Sequence, residues 1–416
     1  MKPSIQALQA TRDRVLRDVI DRDPGVQQAL EHLRHLRSGR GFEYRRNLLS
    51  RALRVTRSMS PELAEGVTQA REQLGLEAPV ELYVVSQPEF NATCAREHNG
   101  LVIVTLTSRL VEEFSSAEIR FVIGHELGHA LFGHFDIPMP ATAVLHQYGV
   151  PFVSKAMALK LYAWCRVTEV TADRVGAVCA GDPKAAISGL FKLASGTSSP
   201  RLKPDLEAFA NQVHSLSSTP EARDASHDQR TLDCFSTHPY NPIRVRAAWA
   251  FSRSVLFHQL TGGRSDEAQP LSMDTVEAMI QEDLQLMEPN YLQEAGPEAD
   301  LMRKLLYTAG FAVAQASGGV DAAELRALAA LLGSDVAQMP SDLSRVIDDL
   351  DRRILDACYL PLRLRAQLLQ HLTIVSAADG QVQPEELDVM LHVANGLQLP
   401  SRIVFETLRW AQVPMD

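Results

Sequence analysis

Residues 115–134 read SSAEIRFVIGHELGHALFGH, and the apolar positions Ile119, Val122, Ile123 and Leu127 recur at helical spacing. Ser115 and Glu118 fit a capping box at the start of that helix. A second helix opens at Pro61 behind Ser60 as cap and ends at Gly75. Residues 80–85, VELYVV, alternate and are rich in β-branched side chains, which predicts a strand. Asn99-Gly100 predicts a hairpin between strands over 92–97 and 101–107. Upstream, Leu8, Val15, Val19, Leu30, Leu33 and Leu36 lay apolar stripes along a helical arm over 1–58, broken at Asp23-Pro24 and at Ser38-Gly39. Residues 138–179 read as largely helical, and 195–227 as a polar, loop-rich stretch and candidate lid.

The stretch TGGRSDEAQP, 261–270, reads as a linker. Beyond it the chain repeats itself at a constant offset, so that Arg303, Leu306, Val320, Glu324 and Leu325 meet Arg365, Leu368, Val382, Glu386 and Leu387. Each copy predicts a helix, a glycine turn and a second helix. Asp321 and Glu324 make a capping box in the first copy, and Pro384 opens the second helix of the other. This organisation predicts an arm over 1–58, a central domain over 59–260 and a helical repeat domain over 271–416 that folds on its own.

The chemistry sits in the first helix. His125 and His129 are four residues apart, so both imidazoles lie on one face at the spacing that zinc sites use. Glu126 beside them is placed to take a proton from a metal-activated water attacking a carbonyl. Downstream, VTEVTADRVGAVCAG places Glu169 and Asp173 on one face of another helix that stops at Gly181. Read alone, these are a solvated acidic face with Arg174 nearby. Read with the histidines, Glu169 completes a His₂Glu set, and Asp173 can hold the far nitrogen of a ligand histidine. A third histidine ligand would need glycine at 132 and histidine at 135. The chain has Phe132 and Phe135, and His134 reads as a helix-end residue.

These residues and their flanks resemble the HtpX and CAAX prenyl protease family of zinc metallopeptidases (metallopeptidase family 48). The resemblance runs from about 61 to 246 and rests on PELAEGVTQAREQLGL leading to VELYVV, NAT at 91–93, the HELGH helix, and TEVTADR followed by STHPYNPIRV. It implies a zincin-type fold of the gluzincin kind, α+β but mostly α with a small antiparallel or mixed sheet, and endopeptidase activity. By position it implies zinc ligands His125, His129 and Glu169, a catalytic base Glu126 and a supporting carboxylate Asp173. Asn91 and Ala92 then match the strand that pairs with extended substrate; His238 and Arg244, which match STHP and its following arginine, are the candidates to stabilise the oxyanion, with Arg244 counted among the substrate-binding residues. His238 is left with two roles, donor to the oxyanion or plug of the fourth metal position. Without the resemblance it is a surface loop residue. Many family members carry transmembrane helices around the site, and none is visible here. The repeat resembles the TerB-like helical domain, most clearly at AADGQVQPEELDVM, which implies a metal- or partner-binding module. DGQVQPEE lacks the alternating acids of an EF-hand loop, so Asp379, Glu385 and Glu386 read as a turn and helix start.

Composition narrows the class. With 45% hydrophobic and 22% charged residues among 416, the chain has an ordinary globular balance. Residues 1–57 carry 13 Lys+Arg against 6 Asp+Glu, and 264–416 carry 11 against 24, for nets of +7 and −13. Both read as solvated helix faces, or as surfaces that recruit different partners. Arg45, Arg46, Arg51 and Arg54 would serve peripheral contact with an anionic membrane, and no nucleic-acid partner is expected. Five widely spaced cysteines without a CxxC predict reduced thiols in a cytoplasmic protein. The start lacks the apolar core and cleavage site of a signal peptide. Two functions fit: a zinc endopeptidase acting on protein or peptide substrates, with a TerB-like partner module, or a non-catalytic zinc-containing scaffold. The scaffold would need a closed, four-ligand site, for which His238 is the visible fourth candidate.

Overall fold

The computed structural model describes residues 4–38, 43–97, 99–137, 155–205, 208–209, 211–212, 236–262, 269–287, 290–292, 296–316, 322–332, 348–360, 362–378 and 381–410. The expected lid beyond 212, the segment 138–154, Asp321 and Asp379 lie outside them. The chain divides into two units, the first built from Met1–Ala141, Trp164–Ser218 and Thr237–Leu286, the second chiefly from Met287–Asp416. The described residues are mostly helical, with one small mixed sheet.

The first unit begins with α1 (Thr11–Ile20), α2 (Pro24–Ser38) and α3 (Glu43–Arg51), with the expected break before Pro24. Its sheet contains β1 (Leu53–Arg54), β2 (Val80–Val85), β3 (Ala92–Arg96) and β4 (Val102–Thr107), in the order β1-β2-β4-β3. Sequence periodicity assigns residues 53 and 54 to a helical arm. In the structure they pair with Val84 and Tyr83 instead, because the outer edge of β2 offers backbone groups that need partners. The VIVTLT strand β4 is buried throughout, parallel to β2 and antiparallel to β3. Its start, Val102 to Val104, accordingly reads as an unbroken apolar run, while Thr105 and Thr107 are buried polar positions. The Asn99-Gly100 turn joins β3 to β4, with Gly100 at φ 83°. β3 is left at the end of the sheet.

Helices α4 (Pro61–Leu74), α5 (Ser108–Glu113), α6 (Ser116–Leu131), α7 (Lys155–Ala180), α8 (Pro183–Ser195), α9 (Asn241–Ser252), α10 (Val255–Thr261) and α11 (Met273–Leu284) complete this unit, α7 joining it at Trp164. The Ser60 side chain caps α4, and Gly75 ends it in the left-handed region at φ 62°. Ser115 and Glu118 close the capping box of α6. α6 is buried nearly all round, so its amphipathicity is weak and its caps define where it starts. It lies close against α7: a Cβ at Gly124 would stand 2.6 Å from the Cys179 Cβ and 3.0 Å from the Gly176 Cα. Ordinary side chains at 124 and 176 would push the two helices apart.

The second unit contains α12 (Pro297–Ala316), α13 (Ala322–Leu332), α14 (Leu350–Ala357), α15 (Leu362–Ser376), α16 (Pro384–Gly396) and α17 (Arg402–Trp410). The sequence repeat appears as two helix pairs, α12 with α13 and α15 with α16. Met302, Leu306, Leu328, Leu368, Leu372 and Met390 meet in one apolar core. The repeat-related arginines do the same work: Arg303 donates to the Tyr291 carbonyl and Arg365 to the Leu397 carbonyl, each at 2.6 Å. Among the described residues, no helix is long and apolar enough to cross a membrane.

Candidate metal centre

Helix periodicity brings His125, Glu126 and His129 together in the lining of a cleft of about 540 Å³. α7 crosses α6 at the glycine contact and sets Glu169 opposite the two imidazoles. The His125 and His129 Nε2 atoms stand 3.2 Å apart, and Glu169 reaches them with Oε2 at 3.5 Å and Oε1 at 3.4 Å. Ligand atoms about 2.0–2.1 Å from a tetrahedral zinc lie about 3.3–3.4 Å apart, so the three gaps fit such an ion.

The bonds at the far side of each ring make the same case. His125 Nδ1 lies 2.9 Å from Oδ1 of Asp173, and His129 Nδ1 lies 2.9 Å from Nδ1 of His134. A proton on each Nδ1 leaves a lone pair on each Nε2. In that tautomer two imidazole lone pairs and a carboxylate face one point, a donor set that a cation would take up. His125, His129 and Glu169 are therefore a group able to hold a metal ion.

Arg244 reaches this group from α9. It donates Nε–H to Asp173 Oδ2 at 2.9 Å and Nη2–H to Oδ1 at 2.7 Å, and its Nη1 lies 3.3 Å from Glu169 Oε2. Burial pushes the Glu169 carboxyl up, but Arg244 and the two histidines outweigh it and hold it well below the usual range. Asp173 is likewise pushed up by burial and brought down further by Arg244 and His125. Glu126 is different. Burial raises its carboxyl above the usual value despite the nearby histidines.

The structure brings the other sequence-derived residues to the same cleft. Asn91 and Ala92 line it from the start of β3, followed by Thr93 and Cys94. His238 lines it too, 60% exposed, with Nε2 3.6 Å from Glu169 Oε1 and Nδ1 bonded to the Thr237 hydroxyl at 2.8 Å. Sequence reasoning left His134 at a helix end. Gly133, in the left-handed region at φ 65°, turns the chain after α6 and folds His134 back onto His129. The glycine before the histidine was the available signal.

Residues 58–251 match the model of Peptidase family M48. The chain is 31% identical over 212 residues to a plastoglobule-localized metallopeptidase 48, chloroplastic, of Arabidopsis thaliana, covering 50% of this chain and 61% of that protein. It is 25% identical over 223 residues to a protease HtpX homolog of Ralstonia nicotianae, covering 47% of this chain and 75% of the homolog. A protease HtpX homolog of Pseudarthrobacter chlorophenolicus is 24% identical over 229 residues. The chain thus spans less than two thirds of the plastoglobule protein's length. No solved structure matches it. The two histidines, Glu169, Asp173 and Arg244 all fall within residues 58–251, the part of this chain that matches Peptidase family M48.

Proposed function

We propose that this chain is a zinc-dependent endopeptidase, with His125, His129 and Glu169 as zinc ligands and Glu126 as general base. The convergence of His125, His129 and Glu169 at zinc-like spacing, in a cleft that Glu126 also lines, carries the reading. Zinc in such a site polarises a carbonyl and makes water a competent nucleophile near neutral pH. Glu126 takes the proton of the attacking water and hands it to the leaving amine. Asp173 holds the His125 ring, and Arg244 holds Asp173 and Glu169. β3, at the sheet end and along the cleft wall, adds the substrate as a further strand, with Asn91 and Ala92 in contact. His238, at the mouth, donates to the developing oxyanion.

The second unit fits a TerB-like module that docks a protein partner, supported by its repeated helix pairs. The scaffold alternative is disfavoured by the open cleft, since a structural zinc site is closed by protein ligands. Glu126→Gln tests the assignment: it keeps zinc at wild-type stoichiometry and loses at least ~10²-fold in casein cleavage. A zinc-loaded Gln variant with full activity removes Glu126 as base. Wild-type protein that binds no zinc removes the whole reading.

A further inference from the structure

The two histidines of α6 are held in different ways. His125 meets a carboxylate directly, at Asp173. His129 meets another histidine, His134, and the series continues: His134 Nε2 lies 3.2 Å from Oδ2 of Asp13. Asp13 is on α1, well before residue 58, where the family match begins.

Proton bookkeeping gives this series one direction. With the His129 Nε2 lone pair facing Glu169 and His125, the His129 proton is on Nδ1 and is donated to His134 Nδ1. The His134 proton is then on Nε2 and is donated to Asp13. Asp13 is fully buried, and no lysine or arginine pairs with it among the described residues. Its charge is met by three donors instead: His134, the Thr171 hydroxyl at 2.9 Å and the Trp164 indole N–H at 2.8 Å. Thr171 also accepts the Ala10 backbone N–H at 3.1 Å, which fastens the start of α1 at the same point. Burying a carboxylate without a cationic partner is costly. An apolar residue at 13 would secure the arm more cheaply, so packing alone does not account for this one.

We propose that Asp13 and His134 are positioning residues of the metal centre. The arm carboxylate, acting through His134, holds His129 in the ring orientation and tautomer that leave Nε2 free for the cation. The α1 arm is then part of the site, although it lies outside the matched residues and supplies no ligand. The inference rests on the zinc reading above.

The test is zinc affinity, measured by chelator competition on the full chain as wild type, Asp13→Asn, His134→Phe and the double variant, with apo-protein melting as a control for folding. Asp13→Asn and His134→Phe each weaken zinc by ~10- to 100-fold, as loss of a hydrogen bond behind a ligand histidine does. The double variant is no weaker than the worse single, because both break one series. His134→Asn, whose Oδ1 stands where Nδ1 stood, binds zinc measurably tighter than His134→Phe and no tighter than Asp13→Asn, since only the bond to His129 is restored. Affinity unchanged in either folded single variant, losses that multiply in the double, or no recovery by Asn overturns the proposal while leaving the zinc reading intact. A merely structural role moves the melting temperature and not the affinity. Wild-type protein that binds no zinc overturns both.

Discussion

Arg244 closes on Asp173 with two bonds, Nε to Oδ2 at 2.9 Å and Nη2 to Oδ1 at 2.7 Å. Both side chains are almost fully buried, at 11% and 1% exposed. The same guanidinium reaches Glu169, so one cation from α9 balances two carboxylates of α7. That places a residue from the M48-matched stretch behind the candidate metal group, against Glu169 and Asp173.

Arg244→Met leaves Asp173 and Glu169 buried without their cation. Breaking such a pair from one side costs about 3–5 kcal/mol. The loss of stability is greater in zinc-free than in zinc-loaded protein, because a bound cation offsets the same carboxylates. Thermal melts with and without zinc check this, and an equal shift in both forms counts against the account.

Gly124→Ala places a methyl against the Cys179 Cβ and the Gly176 backbone. Neither the Gly176 Cα nor the Cys179 Cβ can rotate away, so α6 and α7 must separate. Overpacking of this kind costs about 1–3 kcal/mol. Because His125 and Glu169 sit on opposite sides of that contact, zinc affinity falls together with stability. Chelator competition and denaturant melts report both, and a stable variant with unchanged affinity argues against the glycine contact as the spacer of the site.

Glu118 links the start of α6 to α8 through Lys192, at 2.7 Å, and the Ser188 hydroxyl, at 2.6 Å. Burial pushes its carboxyl up, but Lys192, Ser188 and the Ser115 N–H outweigh it and hold it below 4.5. The native state therefore favours the ionised form, and the contribution to stability is complete above the unfolded value and disappears as pH falls through the lower native one. Glu118→Gln keeps an acceptor for the Ser115 N–H but removes the charge that meets Lys192, so the variant is less stable than wild type at pH 7. The gap from wild type closes under acid conditions. A gap that stays constant from neutral pH down to pH 2 in urea titrations is the contrary result.

His238→Ala separates the two roles left to that side chain. As oxyanion donor, its loss lowers the cleavage rate by about 10²-fold with zinc retained. As a plug, its loss raises basal proteolysis. Unchanged activity returns His238 to a plain surface loop.

The sequence by itself determined whatever depends on near neighbours along the chain. His125 and His129 share a face because an α-helix repeats every 3.6 residues, and the same rule pairs Glu169 with Asp173. Ser60, Ser115 and Glu118 announce helix starts through bonds to backbone a turn away, and Asn99-Gly100 announces the β3–β4 hairpin through its own dihedral angles. The repeat of helix pairs after 297 was legible for the same local reason.

Only the tertiary structure decided which of these elements meet. The glycine contact of α6 with α7 determines that Glu169 faces the histidines and that Asp173 lies behind His125. Nothing in the spacing of residues 53 and 54 announces a strand, because its cause is the unpaired edge of β2. Arg244 could not be assigned to Asp173 from a distance of 71 residues, nor Asp13 to His134 from 121. Such partners are chosen by packing, since a buried charge takes whatever donor or cation the fold delivers to it, and no local pattern records that delivery.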